Sequence, residues 1–339
     1  MVAPLSTAFS AVTRKADVAR FCALPGGASL TPGDLARSGA DASWLLSKGD
    51  RALARCSLWW SATPLYAGQR VGAIGHYAAR DGDAGAALLR RACDELATRG
   101  CALAVGPMDG DTHHAYRLVT ERGDAPPFFL EPDTPAAYPA QWAAAGFAPL
   151  AQYFSAAQDD LGQSDPRMPA IAARLAARGV RVRPFDMTQS DDEHRRIHTL
   201  IQTSFRASPL YSPASEAEFV ERHRLPAQFV VPELVLLAER AGQTIGLLFA
   251  VPDWLQARRG EPVSTVVLKT LAVLPAYAGT GLAGLLIERG REAARALGYT
   301  RVIHALMHEG NASRRLSERF AGRIIRRYTL FARDLGHLA

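Results

Sequence analysis

Residues 266–298 read VVLKTLAVLPAYAGTGLAGLLIERGREAARALG. The first eight are rich in Val, Leu and Thr and read as a strand ending at Val273. Pro275 stops it, because proline offers no N–H to a ladder. Gly279, Gly281 and Gly284 then lead into a helix over residues 282–297, with apolar residues at helical spacing. Glycines at such a turn let backbone N–H groups approach an anion, and the helix dipole favours negative charge there. The turn is therefore either a diphosphate cradle or simply a tight strand-to-helix connection. Residues 270–287 carry no charge, yet Pro275 and the three glycines make a spanning helix implausible.

Working outward, residues 180–185 alternate as a short strand and Asp191-Asp192 open an amphipathic helix to Phe205. Two apolar runs, 234–239 and 244–251, flank Ala241-Gly242-Gln243, a hairpin signal. After the quoted stretch come a strand over 301–307, a helix over 312–320 and a strand near 328–333, giving β-α-β-β-β-α-β-α-β. The first half carries a blurred copy: strands at 54–63 and 71–78 around Ala67-Gly68, a helix over 84–99 and a strand over 101–105. LLRRACDELATRG from Leu88 and LLIERGREAARALG from Leu285 stand 197 residues apart, and GPMDGD from Gly106 and ALMHEG from Ala305 stand 199 apart. A period this long, met twice, reads as a duplicated domain. The expected division is 1–160, a linker over 161–176 within a polar stretch, and 177–339.

The second half resembles the GNAT N-acetyltransferase superfamily. Its loop, Arg/Gln-x-x-Gly-x-Gly/Ala after a strand, is met by Ala278-Gly279-Thr280-Gly281-Leu282-Ala283, and Asn311 with Gly322 matches a later pattern. The resemblance covers residues 180–333 well and 53–155 in outline. It implies an α/β fold of two GNAT-like modules in tandem, with a mixed, mostly antiparallel sheet splayed at the fourth and fifth strands and helices on both faces. It implies an acyltransferase using acetyl-CoA or malonyl-CoA. Gly279, Thr280, Gly281, Leu282, Ala283 and Gly284 would hold the CoA diphosphate, Leu271, Ala272 and Val273 would pair with the pantetheine arm, and Asn311 and Ser313 would lie beside it.

Both copies depart from the family pattern. In the first, Asp81-Gly82-Asp83-Ala84-Gly85-Ala86 falls on the loop, and aspartates repel phosphate; that copy reads as a non-binding structural partner. In the second, Ala278 replaces the usual Arg/Gln, Glu318 stands where a leaving-thiolate tyrosine often does, and Lys269-Thr270 replace a frequent carboxylate base. Thr270, His304 and Arg319 resemble the residues of GNAT-like loading domains of polyketide synthases, which decarboxylate malonyl thioesters. A hydroxyl and an imidazole would stabilise the enolate, and His304 would return the proton. A strand histidine, a strand threonine and an arginine in an arginine-rich chain also have purely structural readings. Lys269, next to Thr270, is expected on the opposite face. Two reactions stay open, acyl transfer and decarboxylation, beside a silent acyl-CoA-binding module.

Composition bounds the rest. The 339 residues are 48% hydrophobic and 21% charged, enough for one large or two modest domains. The net charge of +6 is scattered, with 36 arginines and three lysines, so it suits a CoA polyanion better than nucleic acid. Cys22, Cys56, Cys93 and Cys101 form no CxxC pair, which argues against a disulfide framework or a metal. No signal peptide is read, and a cytoplasmic location is expected. The expected partners are an acyl-CoA and a small-molecule acceptor or acyl carrier protein, with no nucleic acid and no membrane. APPFFLEP, residues 125–132, is expected to pack between the modules.

Overall fold

The computed structural model describes residues 6–26, 29–223, 226–310 and 322–336. The first half runs β1 (Thr7–Ala11), α1 (Lys15–Ala23), α2 (Pro32–Arg37), β2 (Ala42–Lys48), β3 (Arg51–Trp59), β4 (Leu65–Tyr66), β5 (Gln69–Ala79), α3 (Gly82–Thr98), β6 (Leu103–Gly106), β7 (Leu118–Glu121), α4 (Tyr138–Ala144) and β8 (Ala148–Gln158). The second runs α5 (Met168–Ala177), β9 (Arg181–Pro184), α6 (Ser190–Phe205), α7 (Glu216–His223), β10 (Val235–Arg240), β11 (Gln243–Pro252), α8 (Trp254–Arg258), β12 (Thr265–Val273), α9 (Leu282–Ala296), β13 (Arg301–His308) and β14 (Arg323–Asp334). The helix expected over 312–320 lies outside the described residues.

The duplication is visible in the backbone. Ala67 and Gly68 have φ of 49° and 80°, and Ala241 and Gly242 have 48° and 79°. Two consecutive positive φ values make the tight turn whose twist matches paired strands. Each turn therefore closes its hairpin, Tyr66 opposite Gln69 and Arg240 opposite Gln243. Helix α9 lies close on β11 because Gly290 leaves room: a Cβ there would meet Leu248 Cδ2 at 2.3 Å. Its Leu282, Leu285, Leu286 and Ala294 enter the core of the second half with Leu237, Leu247 and Val302. The first half packs α3 and Trp142 against β3 and β5, with Tyr77 and Phe147 edge-on to the indole.

Twelve strands form one path, β1-β2-β3-β5-β6-β14-β8-β13-β12-β11-β10-β9, with β4 and β7 attached to β5 and β14. All pairs are antiparallel except β5/β6 and β12/β13. The two halves exchange their last strands. β8 pairs with β13, and β14 lies between β8 and β6, with Leu330 opposite Ala151 and Phe331 opposite Gly106. This long-range pairing is absent from any local pattern in the sequence. The segment expected as a linker contains most of α5, which packs Ile171 and Leu175 onto the core of the second half.

The loop between β7 and α4 docks on the second half's sheet. Phe128 is 1% exposed among Val251, Val267, Ile303 and Ile325, and Phe129 N donates to Asp253 Oδ1 at 2.8 Å. Phe128→Ala is expected to cost about 3–5 kcal/mol in denaturant unfolding. A loss under about 1 kcal/mol would show that the loop does not hold the halves together.

Candidate functional site

The β12/β13 ladder runs from Thr265 opposite Arg301 to Leu268 opposite His304 and stops there. Beyond it β13 turns to β8, with a register shift between His304 and Met307, Leu306 at φ 58°, and Leu306 N donating to Ser155 Oγ at 3.0 Å. Among the described residues no backbone hydrogen bond joins 269–274 to β13. The two strands thus part in a notch, with Leu271, Ala272 and Val273 along one lip and His304 at its base.

Above that lip lies the glycine turn. Gly279 and Gly281 have φ of 73° and 93°, values that a side chain would strain. Gly281 caps α9 with no side-chain hydrogen bond, so the first-turn amides meet no capping oxygen from that residue. Arg174 of α5 donates to Thr280 O at 2.8 Å and Arg240 Nη1 to Tyr277 Oη at 3.2 Å. Positive charge therefore reaches the loop from α5 and β10, although position 278 carries none.

The first half has filled its equivalent features with its own side chains. Asp81 caps α3 and accepts from Ala84 N at 2.8 Å, placing a carboxylate where an anion would lie. The β5/β6 ladder ends at Ala73 opposite Val105. Met108 N then donates to Ile74 O at 2.8 Å, His76 N to Asp109 Oδ1 at 2.6 Å and Ala79 N to Tyr138 Oη at 3.2 Å. That notch is laced shut.

A cavity of about 2400 Å³ joins the two halves. Thr270 and His304 line it, as do Arg117, Leu130 and Glu131 of the first half. An apolar wall comes from Phe185, Ile197, Ile201, Phe205, Phe219 and Val230. His304 is 5% exposed, and burial together with the nearby Arg291 guanidinium pushes it down to about 4. It is therefore neutral near pH 7 and carries no second proton to return to a carbanion. Asn311, Ser313 and Arg319 lie outside the described residues.

One expectation is corrected here. Lys269 lines the same cavity as Thr270. The β11/β12 register shifts between Phe249 (opposite Thr270) and Ala250 (opposite Leu268), so Lys269 is an extra residue and simple alternation fails. Arg117 and Glu131 were not anticipated either, since they sit in a loop of the other half. His113 bridges the halves by a 2.8 Å hydrogen bond to Ser212 O.

Residues 195–322 match the Acetyltransferase (GNAT) family. The chain is 27% identical over 191 residues to a bacterial ceramide synthase of Caulobacter vibrioides, covering 55% of this chain and 49% of that protein. It thus spans about half the length of the curated relative it matches. A tandem GNAT protein from the clavulanic acid biosynthesis pathway superposes with a TM-score of 0.53 at 13% identity, over 98% of this chain and 99% of that one. A GNAT glucosamine N-acetyltransferase region of a fungal multi-domain β-N-acetylglucosaminidase gives 0.59 at 11%, over 98% and 38%. Identities this low speak for the fold alone. The chain therefore has a tandem GNAT fold, and residues 195–322 of its second half match the Acetyltransferase (GNAT) family model.

Proposed function

We propose that the second half transfers an acyl group from a CoA thioester to an amine or thiol acceptor held in the shared cavity. The observation that carries this reading is the contrast between the copies. One has a parted notch below a glycine turn whose N-cap residue offers no side chain and whose first amide has only a 3.4 Å contact to Thr280 Oγ1, and the other has both features occupied by Asp81 and Asp109. In this reading the amides of residues 279–284 face the CoA diphosphate, with Arg174 and Arg240 supplying nearby charge. The β12 lip pairs with the pantetheine arm, and the thioester enters the notch between Thr270 and His304. The Thr270 hydroxyl and the neutral His304 ring act there as hydrogen-bond donors to the developing oxyanion, each worth roughly 3 kcal/mol when well placed.

The donor class extends from acetyl-CoA and malonyl-CoA to longer acyl chains, and two observations favour the longer ones. The cavity is large with an apolar wall, and the chain is similar to a bacterial ceramide synthase. The acceptor is a small molecule or a carrier-protein thiol. Decarboxylation of a malonyl thioester is the weaker reading, because it asks His304 for a proton that its burial withholds.

Calorimetry with CoA tests the loop. Ala278 is exposed with φ −60° and ψ 140°, a conformation open to any side chain. Ala278→Arg is expected to tighten CoA binding about three- to tenfold at low salt, and Ala278→Asp to weaken it as much. Asp81→Ala in the first copy is expected to leave affinity unchanged; a large change there would move the site to the wrong half. Release of CoA from C2 to C18 thioesters, followed by mass spectrometry of the products, reads donor length and carbon dioxide loss together.

The state of His304 has its own signature. Its folded value is depressed, so between about 6.5 and 4 the unfolded chain binds more protons and stability falls on acidification. The full loss is on the order of 3 kcal/mol. Urea melts across that range should be less pH-dependent in His304→Gln, and an identical slope in both proteins would contradict the assignment.

A further inference from the structure

The reaction above names donors for the oxyanion but no group that takes the acceptor's proton. One partly buried amine lining the cavity is unused. Lys269 is one of three lysines in the chain and the extra residue of the β12 bulge, a device that re-aims side chains next to sites. It immediately precedes Thr270, at the point where β12 leaves β13. Its Nζ donates to Leu130 O at 2.8 Å, its one hydrogen bond among the described residues. A charged ammonium would present three protons to this site.

The surrounding charges also oppose an ammonium. Glu131, the nearby acid, already receives Arg326 Nε at 2.8 Å, the Tyr328 hydroxyl and Phe128 N at 3.1 Å. Across the cavity stands Arg117, held between the rings of Tyr116 and Tyr153 at 3.8 and 3.9 Å. Burial and this guanidinium together push Lys269 down to about 7, against a smaller opposing pull from Glu131.

We propose that Lys269 is the catalytic base of the acyl-transfer step, its neutral amine accepting the proton of the acceptor nucleophile at the mouth of the notch. This rests on the CoA-thioester reading. The acceptor N–H or S–H bond breaks and its proton goes to Nζ. The acceptor's electron pair forms the bond to the thioester carbon, and the C–S bond breaks with its pair left on the CoA sulfur. The Lys269 ammonium then returns the proton to that sulfur, so free CoA leaves and the amine is ready again. No oxidant or metal enters the balance.

The lysine count makes the test direct. With ¹³C-labelled lysine the protein gives three side-chain signal sets, two of them from the exposed Lys15 and Lys48, and loss of one set in Lys269→Gln assigns the third. Its titration midpoint is expected near 7, and kcat/KM for the donor selected by the chain-length series should rise with pH through the same midpoint. Lys269→Gln and Lys269→Arg should both bind CoA as the parent does and both lose about 10²–10⁴-fold in kcat. Arginine keeps a donor for Leu130 O but cannot lose its proton, so a purely structural lysine would be rescued by it. A Lys269 midpoint near 10, or Lys269→Arg within about fivefold of the parent, overturns the assignment while CoA binding stands. A parent protein that binds no CoA overturns instead the reading on which the assignment rests.

Discussion

The exchange of final strands is the constraint on which the rest of the architecture depends. Because β14 lies between β6 and β8, and β8 lies against β13, neither half completes its own sheet. A buried polar chain ties the exchange together. Arg326 on β14 binds Glu131 and the carbonyls of Arg122 and Ala125, Tyr328 joins Glu131 to Ser155 on β8, and Ser155 receives Leu306 N of β13. Arg326 and Glu131 are almost wholly buried. A pair of that kind contributes more to the choice of one arrangement than to net stability, since desolvation offsets most of the Coulomb gain. What it selects is the position of the loop over 122–131, and with it the wall facing the notch.

The two halves share one plan and differ at the places where the candidate site lies. Both copies make the same two-residue turn and the same parallel strand pair, but the strand-to-helix connection is two residues in the first and eight in the second. Two carboxylates separate them. Asp81 and Asp109 accept a helix amide and a strand amide in the first copy, whereas the N-cap of α9 in the second is a glycine with no side chain to do so. A backbone donor satisfied internally has little to gain from a ligand, because the exchange returns only the small net value of a hydrogen bond. The first copy instead supplies Arg117, Leu130 and Glu131 to the cavity of its neighbour.

Within that cavity burial does opposite work on similar chemistry. His304 and Lys269 are both bases whose charged forms are disfavoured by desolvation beside a guanidinium, Arg291 for one and Arg117 for the other. A neutral imidazole still has an N–H to donate, whereas a neutral amine has a lone pair to offer. The same physical cause therefore suits one residue to stabilising negative charge and the other to taking a proton.

What the sequence by itself determined was local. Gly279 and Gly281 announced the strained turn, Ala67-Gly68 and Ala241-Gly242 announced the hairpins, and the 197-residue spacing announced the repeat. Each depends on backbone preferences acting over a few residues. Helix α5 escaped notice because its Ala-rich, weakly amphipathic stretch follows a polar run, and its Ile171 and Leu175 gain meaning only against α9 and its core. Tertiary structure alone decided that β8 leaves its own half, that Lys269 shares a cavity with Thr270, and that a loop carrying Arg117 and Glu131 faces them. Strand partners and register depend on which distant surfaces meet, and a one-residue bulge re-aims a side chain without leaving any mark in composition or spacing.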